Sequence, residues 1–183
     1  MSSLKRGLRG DFSHWSPKYR PPVQKVRFES RRAHLRAGSR RAHLRANSAD
    51  AILLIVAALS DGELIALKQK AEDHELDVLC EVHDQHELDR ALDAGCNLIG
   101  VNSRDLRTFK VDLKTAFRLA ERLPDHVLAV AESGIESGTD IAQLRSAGYG
   151  AFLIGETLMR ADKPGEALKS LLVDASAASA IAR

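Results

Sequence analysis

The sequence predicts an α/β fold in which helices cover a parallel sheet, either doubly wound or closed into a barrel. Five short apolar runs, near residues 51, 77, 97, 127 and 151, begin at intervals of 26, 20, 30 and 24 residues. That spacing is the length of one strand-and-helix unit. Helix signals occupy the intervals, and a length of 183 residues suits one domain with a sizeable core.

The apolar runs have the composition of buried parallel strands and read AILLIV, DVLCEV, NLIGV, VLAVA and AFLI. Between them, Ser60 with Glu63 three residues later predicts a helix start with a capping box, and Asp84 with Glu87 repeats the arrangement. Two glycines fall where helices should end, Gly95 and Gly148. The alternation of strands and helices therefore begins at about residue 49.

Residues 1–48 show no such alternation. They contain RRAHLRAGS at 31–39 followed directly by RRAHLRANS at 40–48, a nine-residue tandem duplication with one change. Residues 1–50 carry 13 Lys and Arg against 3 acidic residues, a net charge of +10, whereas the rest of the chain carries −8. We therefore predict a basic segment 1–48 that is irregular or disordered, followed by an α/β domain at 49–183.

The two cysteines, Cys80 and Cys96, lie inside apolar patterns without metal-binding spacing, so we expect reduced core thiols and a cytoplasmic protein. No apolar run is long enough to span a membrane, and the N-terminus lacks the apolar region of a signal peptide. Its Arg-rich, Ser-rich and acid-poor composition leaves an organellar transit peptide as the alternative.

Polar residues follow three successive predicted strands: Glu81, then Asn102 and Arg104, then Glu132 and Ser133. The carboxyl ends of parallel strands meet at one edge of a sheet, where the sites of such folds lie. A single polar residue there is more often a cap or a salt bridge, but three successive strands favour a functional site. A glutamate held in an apolar mouth has a raised pKa, which suits proton transfer near neutral pH.

Two loops have the composition of an anion site. ESGIESG (132–138) and IGETLMR (154–160) place glycines and small hydroxyl residues after the fourth and fifth strands. Gly134 and Gly155 would let the backbone approach a phosphate closely.

Two histidines, His83 and His86, flank the predicted helix start at Asp84. The sequence places no third metal ligand with them, so we expect solvent-exposed or capping roles and no metal.

Taken together, these residues resemble the indole-3-glycerol phosphate synthases of tryptophan biosynthesis. The resemblance is carried by ADAILLIVAALS, LDVLCEVHDQHELDRAL, IGVNSRDLRTFKVDL, AVAESGI and FLIGETLMR, in the family's order and spacing from about Ala49 to Leu172. It implies a TIM (β/α)8 barrel, of which this chain holds about five C-terminal units, strands four to eight. Another phosphate-binding barrel, such as phosphoribosylanthranilate isomerase, is disfavoured because EVHD, NSRDL and ESGI occur together.

By this resemblance the substrate is 1-(2-carboxyphenylamino)-1-deoxyribulose 5-phosphate, which is decarboxylated, closed to an indole ring and dehydrated. The resemblance implies that Glu81 transfers protons, Asn102 orients the substrate and Glu132 is the second carboxylate. It assigns the substrate and its phosphate to the region of Arg104, Ser133, Gly134, Gly155, Glu156 and Thr157. It implies no metal or organic cofactor, because acid, base and electrostatic help suffice.

Two lysines of the family have no counterpart in this sequence. The family has Lys-x-x-Ser-Pro-Ser after strand one, whereas HWSPK has Ser13 at the lysine position, and it has Arg-Lys-Asp-Phe after strand three, whereas LRGDF has Gly10. Three further units would need about 75 residues, and 48 precede the alternation. We therefore expect a truncated form with impaired activity, whose open sheet edges favour a homodimer or a complementing half-barrel.

Two alternatives stay open. The basic segment would suit a non-catalytic half-barrel that binds nucleic acid or another anionic partner, although no recognisable nucleic-acid motif accompanies it. The tandem duplication instead favours an origin in gene damage or a misread start. We expect no membrane partner, and a phosphorylated small molecule is the favoured ligand.

Overall fold

A computed structural model of the protein describes residues 49–105 and 107–181, along which strands and helices alternate. The strands are β1 (Ala51–Ile55), β2 (Asp77–Val82), β3 (Leu98–Asn102), β4 (Leu128–Glu132) and β5 (Ala151–Leu153). The helices are α1 (Asp61–Glu72), α2 (Gln85–Asp93), α3 (Lys114–Ala120), α4 (Gly138–Ser146), α5 (Glu156–Met159) and α6 (Pro164–Ile181). A 3-10 turn, Val56–Ala58, follows β1.

The strands form a parallel sheet in chain order, β1-β2-β3-β4-β5. A helix lies between each strand and the next, as parallel pairing requires. A doubly wound sheet reverses its strand order at a switch point, whereas a barrel keeps the order of the chain. The predicted α/β fold is therefore confirmed, and the topology is that of a partial TIM barrel rather than a doubly wound sheet.

One face of the sheet packs against the helices. In β2, Val78, Cys80 and Val82 belong to the apolar core, whereas the strand alternation sends Leu79 and Glu81 to the opposite face. The helices complete this core with buried side chains that include Leu64, Leu88, Leu119, Ile141 and Leu144. The face opposite the helices is therefore the one that carries the polar residues of the strand ends.

The helix starts follow the predicted capping residues with one difference. Ser60 and Glu63 form the predicted capping box at α1. At α2, Asp84 Oδ1 accepts a hydrogen bond from the backbone N–H of Glu87 at 2.9 Å, but the Glu87 side chain binds His83 instead of the Asp84 backbone. The second predicted box is therefore only half formed. Left-handed glycines end α2 and α4, as predicted, at Gly95 and Gly148.

The remaining predictions concern the two cysteines, membrane-spanning helices and segment 1–48. Cys80 and Cys96 are buried free thiols, as predicted. No helix among the described residues has the length and apolar character needed to cross a membrane. The predictions for segment 1–48 lie outside the described residues.

Candidate active site

The carboxyl ends of β2, β3 and β4 bring three predicted polar residues together. Glu81 lies in register with Gly100, and Asn102 lies in register with Glu132. Glu81, Asn102 and Glu132 are only 5, 9 and 6 % exposed. Asn102 Nδ2 donates a hydrogen bond to Glu81 Oε1 at 3.2 Å. Because buried polar groups are costly unless they are paired, this cluster is a specialised part of the sheet.

The room for this cluster comes from Gly100, which sequence reasoning missed. A Cβ atom at this position would overlap the Glu132 carboxyl group and would lie 3.3 Å from Leu79 Cδ1. The Glu132 side chain therefore lies against the bare backbone of β3. A glycine inside an apolar strand pattern is the signal of such a close approach, and NLIGV contained that signal.

Glu81 is held in its ionised form by its neighbours. Burial opposes the charge, but His83 and the Asn102 amide outweigh burial and hold the pKa of Glu81 below its ordinary value. His83 Nε2 lies 3.2 Å from Glu81 Oε1, within ion-pair distance but without the alignment of a hydrogen bond. At neutral pH Glu81 is therefore a proton acceptor.

His83 bridges two carboxylates. Its side chain is 14 % exposed, and Nδ1 lies 3.0 Å from Glu87 Oε2. Burial disfavours the cation, but the contacts with Glu81 and Glu87 outweigh burial and raise the pKa of His83 to about 9. The expected solvent-exposed or capping role is therefore wrong for His83, whereas His86 is exposed. The signal was the acidic residue four positions later, which a helix start brings back toward the strand end.

Glu132 is in the opposite protonation state to Glu81. Burial, and next the negative charge of Glu81, raise the pKa of Glu132 to about 8. Its Oε1 has no hydrogen-bond partner among the described residues. A carboxyl group that keeps its proton at neutral pH beside one that has lost it gives the site both an acid and a base.

The backbone turns sharply directly after β4. Ser133 and Gly134 both have left-handed φ angles, 59° and 78°. A serine in that region is uncommon, and such strain concentrates at functional sites. A Cβ atom on Gly134 would lie 2.5 Å from Val111 Cγ1, so the segment after β3 packs closely on this turn.

A cavity of about 230 Å³ lies beside Glu132. Its lining contains all six residues predicted for the substrate and its phosphate: Arg104, Ser133, Gly134, Gly155, Glu156 and Thr157. The Arg104 guanidinium forms an ion pair with Glu156. Thr157 Oγ1 donates a hydrogen bond to the Ile135 carbonyl at 2.6 Å, which ties the start of α5 to the loop after β4. The structure thus places both predicted loops around one cavity.

Within the described ranges, no group of three or more His, Cys, Asp and Glu side chains could hold a metal ion. The chemistry that these residues themselves offer is proton transfer between buried carboxyl groups next to a cavity with a cationic side chain.

A family model described as indole-3-glycerol phosphate synthase matches residues 41–171. Two curated relatives carry the same description. That of Koribacter versatilis (strain Ellin345) is 59 % identical over 124 residues, which are 68 % of this chain and 48 % of the relative. That of Acidithiobacillus ferrooxidans (strain ATCC 53993 / BNL-5-31) is 52 % identical over 126 residues, 69 % of this chain and 48 % of the relative. The chain thus spans about half the length of these relatives.

Solved structures with a similar fold include more distant proteins. Thiamine phosphate pyrophosphorylase from Pyrococcus furiosus matches with a TM-score of 0.60 and 18 % identity, over 76 % of this chain and 65 % of its own. A mandelate oxidase variant matches with a TM-score of 0.62 and 16 % identity, over 78 % and 53 %. These similarities establish the fold alone.

Proposed function

The chain belongs to the indole-3-glycerol phosphate synthase family, and we propose that residues 49–183 form the half of that active site carried by strands four to eight. The observation that carries the proposal is the pair of buried glutamates, Glu81 and Glu132, held in opposite protonation states at neighbouring strand ends. The family's reaction needs a proton donor and a proton acceptor, and this pair supplies one of each.

The proposed substrate is 1-(2-carboxyphenylamino)-1-deoxyribulose 5-phosphate. Ring closure forms a carbon–carbon bond between the ring carbon that bears the carboxylate and the carbonyl carbon, and the carbonyl oxygen gains a proton. Carbon dioxide then leaves and restores the aromatic ring and the neutral nitrogen. The hydroxyl takes up a second proton and departs as water, and the methylene carbon next to the nitrogen loses a proton to give the indole. We assign proton donation to Glu132, proton acceptance to Glu81 and substrate orientation to Asn102.

We place the substrate phosphate in the cavity beside Glu132. Support comes from the left-handed turn at Ser133 and Gly134, since consecutive backbone N–H groups in such turns form anion-binding concavities. Arg104 supplies a guanidinium group at the same cavity, where it is paired with Glu156. Gly155 and Thr157 also line this cavity. A phosphate would compete with Glu156 for the guanidinium.

We further propose that this chain by itself is impaired in turnover. Ser13 and Gly10 stand where the family motifs have lysines, and the match covers 48 % of each curated relative. A complementing half-barrel or a second copy would supply the remaining units. The ends of the described sheet suit such pairing, because β1 and β5 are edge strands there and Leu153 is 37 % exposed. We place the protein in the cytoplasm, in keeping with its free buried cysteines.

The test is fluorescence-monitored formation of indole-3-glycerol phosphate. The chain would be assayed alone and after mixing with the first three strand-and-helix units of the Koribacter versatilis relative. We expect turnover in the mixture and a loss of about 100-fold or more in Glu81→Gln. His86→Gln is the matched control, because His86 is exposed on the same segment. Equal turnover in Glu81→Gln and the control would overturn the proposal.

A second candidate function is favoured by the net charge of +10 in residues 1–50. In that case the half-barrel is non-catalytic and the basic segment binds nucleic acid or another anionic partner. The affinity for double-stranded DNA should then fall steeply between 50 and 200 mM salt, on the order of a thousandfold, as it does for proteins that contact several phosphates. Replacement of the arginines in 31–48 by glutamine should abolish it. Absent or salt-insensitive binding would rule this function out.

A further inference from the structure

His83 lies between two carboxylates, those of Glu81 and Glu87. One ring nitrogen, Nδ1, is 3.0 Å from Glu87 Oε2, and the other, Nε2, is 3.2 Å from Glu81 Oε1. Glu87 Oε2 also accepts a hydrogen bond from the backbone N–H of His83 at 2.8 Å. Glu87 therefore fixes both the backbone and the ring of this histidine.

The two ring nitrogens of His83 face different partners. Glu87 belongs to α2, does not line the cavity, and anchors the ring on the Nδ1 side. The opposite ring nitrogen then faces the Glu81 carboxylate at ion-pair distance, and Glu81 Oε1 accepts a hydrogen bond from Asn102 at 3.2 Å. A cationic ring and an amide donor, from two strand ends, thus converge on one oxygen of Glu81, which limits the rotation of its carboxylate.

We propose that His83 is a positioning residue, which orients the Glu81 carboxylate and keeps it charged for the proton transfer assigned to it above. The catalytic meaning of this role rests on the proposed function. The effect of His83 on the charge and orientation of Glu81 does not depend on it. If Glu81 stays ionised, the one proton that Glu81 and Glu132 share at neutral pH resides on Glu132. His83 thereby decides which glutamate is the acid and which is the base.

The charged groups that face His83 come from the packed elements around it. They are Glu81 at the end of β2, Glu87 on α2 and Glu132 on β4, which interacts with His83 electrostatically across the sheet. The 3-10 turn Val56–Ala58, which packs against β2 and α2, contributes no ionisable side chain. Burial alone would favour the neutral imidazole, so the cation exists because of the carboxylates.

The test is a ¹³C NMR titration of the side-chain carboxyl carbons in the full chain, which requires no turnover. In the unaltered chain we expect Glu81 to titrate below and Glu132 above the ordinary range. In His83→Gln, the midpoint of Glu81 should rise by roughly one pKa unit or more, a tenfold increase in proton affinity. His86→Gln is the control and should leave both midpoints in place.

Glu87→Gln serves as the milder second variant, because its amide oxygen still accepts from His83 while the charge is removed. We expect the His83 midpoint to fall and the Glu81 midpoint to rise by a smaller amount than in His83→Gln. An unchanged Glu81 midpoint in either variant, with an amide spectrum like that of the unaltered chain, overturns the positioning role. Because synthase turnover is measured separately, loss of the proposed function and loss of this inference are distinguishable.

Discussion

The carboxyl ends of β2 and β4 each present a buried glutamate on the same face of the sheet, but the two side chains have different neighbours. Glu81 meets a cationic histidine and an amide donor. Glu132 lies against the backbone of Gly100, and its Oε1 has no hydrogen-bond partner among the described residues. The pKa of Glu81 is accordingly lowered and that of Glu132 raised.

The comparison teaches that exposure alone does not decide the protonation state, since the two glutamates are 5 and 6 % exposed. Burial acts on both in the same direction. What separates them is the cationic histidine and the amide donor at the end of β2, and the negative charge of Glu81 near Glu132 at the end of β4. Changes that remove one of these differences should therefore bring the two pKa values closer together.

The largest effect is expected from Glu132→Gln, which removes the costly charge at β4. The folded protein holds the Glu132 proton more tightly than the unfolded chain, so wild-type stability falls as the pH rises from about 4.5 through the folded pKa of about 8. The variant should be more stable than wild type by an amount on the order of 4 to 5 kcal/mol above pH 8, and this gain should vanish below pH 4.5. Urea unfolding at several pH values measures the difference.

Glu136→Gln is the control for that measurement, because Glu136 is exposed in the same loop. Its difference from wild type should not follow the Glu132 pattern. A stability gain in Glu132→Gln of equal size at pH 4 and pH 9 would contradict the buried, protonated state of Glu132.

A smaller effect is expected when the bare backbone beneath Glu132 is filled. In Gly100→Ala the new methyl group takes the place of the Glu132 carboxyl group, which must move. We expect a loss of about 1 to 2 kcal/mol and a fall in the pKa of Glu132 as its carboxyl group leaves the buried position. Gly62→Ala is the matched control, since a Cβ atom there meets nothing within 4 Å and α1 should gain about 0.5 to 1 kcal/mol. Identical Glu132 titration in Gly100→Ala and wild type would refute the close contact.

The smallest effects compare the caps of the helices that follow the two strands. Asp84 caps α2 and Ser137 caps α4, each by accepting a backbone hydrogen bond. Asp84→Ala and Ser137→Ala should each cost about 1 kcal/mol in urea unfolding. Only Asp84→Ala should also lower the His83 pKa, because Glu87 lies in the first turn of α2. NMR titration of the imidazole reports this, and equal His83 midpoints in both variants would count against the coupling of α2 to the β2 end.

Much of the fold was predictable because its signals are local. The five strand starts lie within one residue of the predicted positions, since apolar periodicity and the flanking caps mark them directly. The grouping of Glu81, Asn102 and Glu132 also followed, because parallel strands end at one edge of a sheet.

The opposite protonation states of Glu81 and Glu132 were not predictable, since they depend on contacts between strands that no single segment encodes. The pattern suggested a raised pKa for buried glutamates in general, which holds for Glu132 and fails for Glu81. Gly100 and His83 were missed for a related reason. A glycine in a strand and a histidine near a helix start each have common structural explanations. For Gly100, the register of β3 with β4 shows its role in the site. For His83, the direction of the Glu87 side chain does so.

The contacts that define the β2 end are short in sequence: Glu81, His83 and Glu87 all fall within residues 81–87. The electrostatic environment of Glu81 is thus largely inherited with one strand-and-helix unit. Recombination that moved this unit between barrels would transfer a charged, oriented glutamate as a ready-made part. Glu132 would not transfer in this way, because its place depends on a glycine in the preceding strand. Recombination could therefore transfer the environment of one member of the acid–base pair, Glu81, but not that of the other, Glu132.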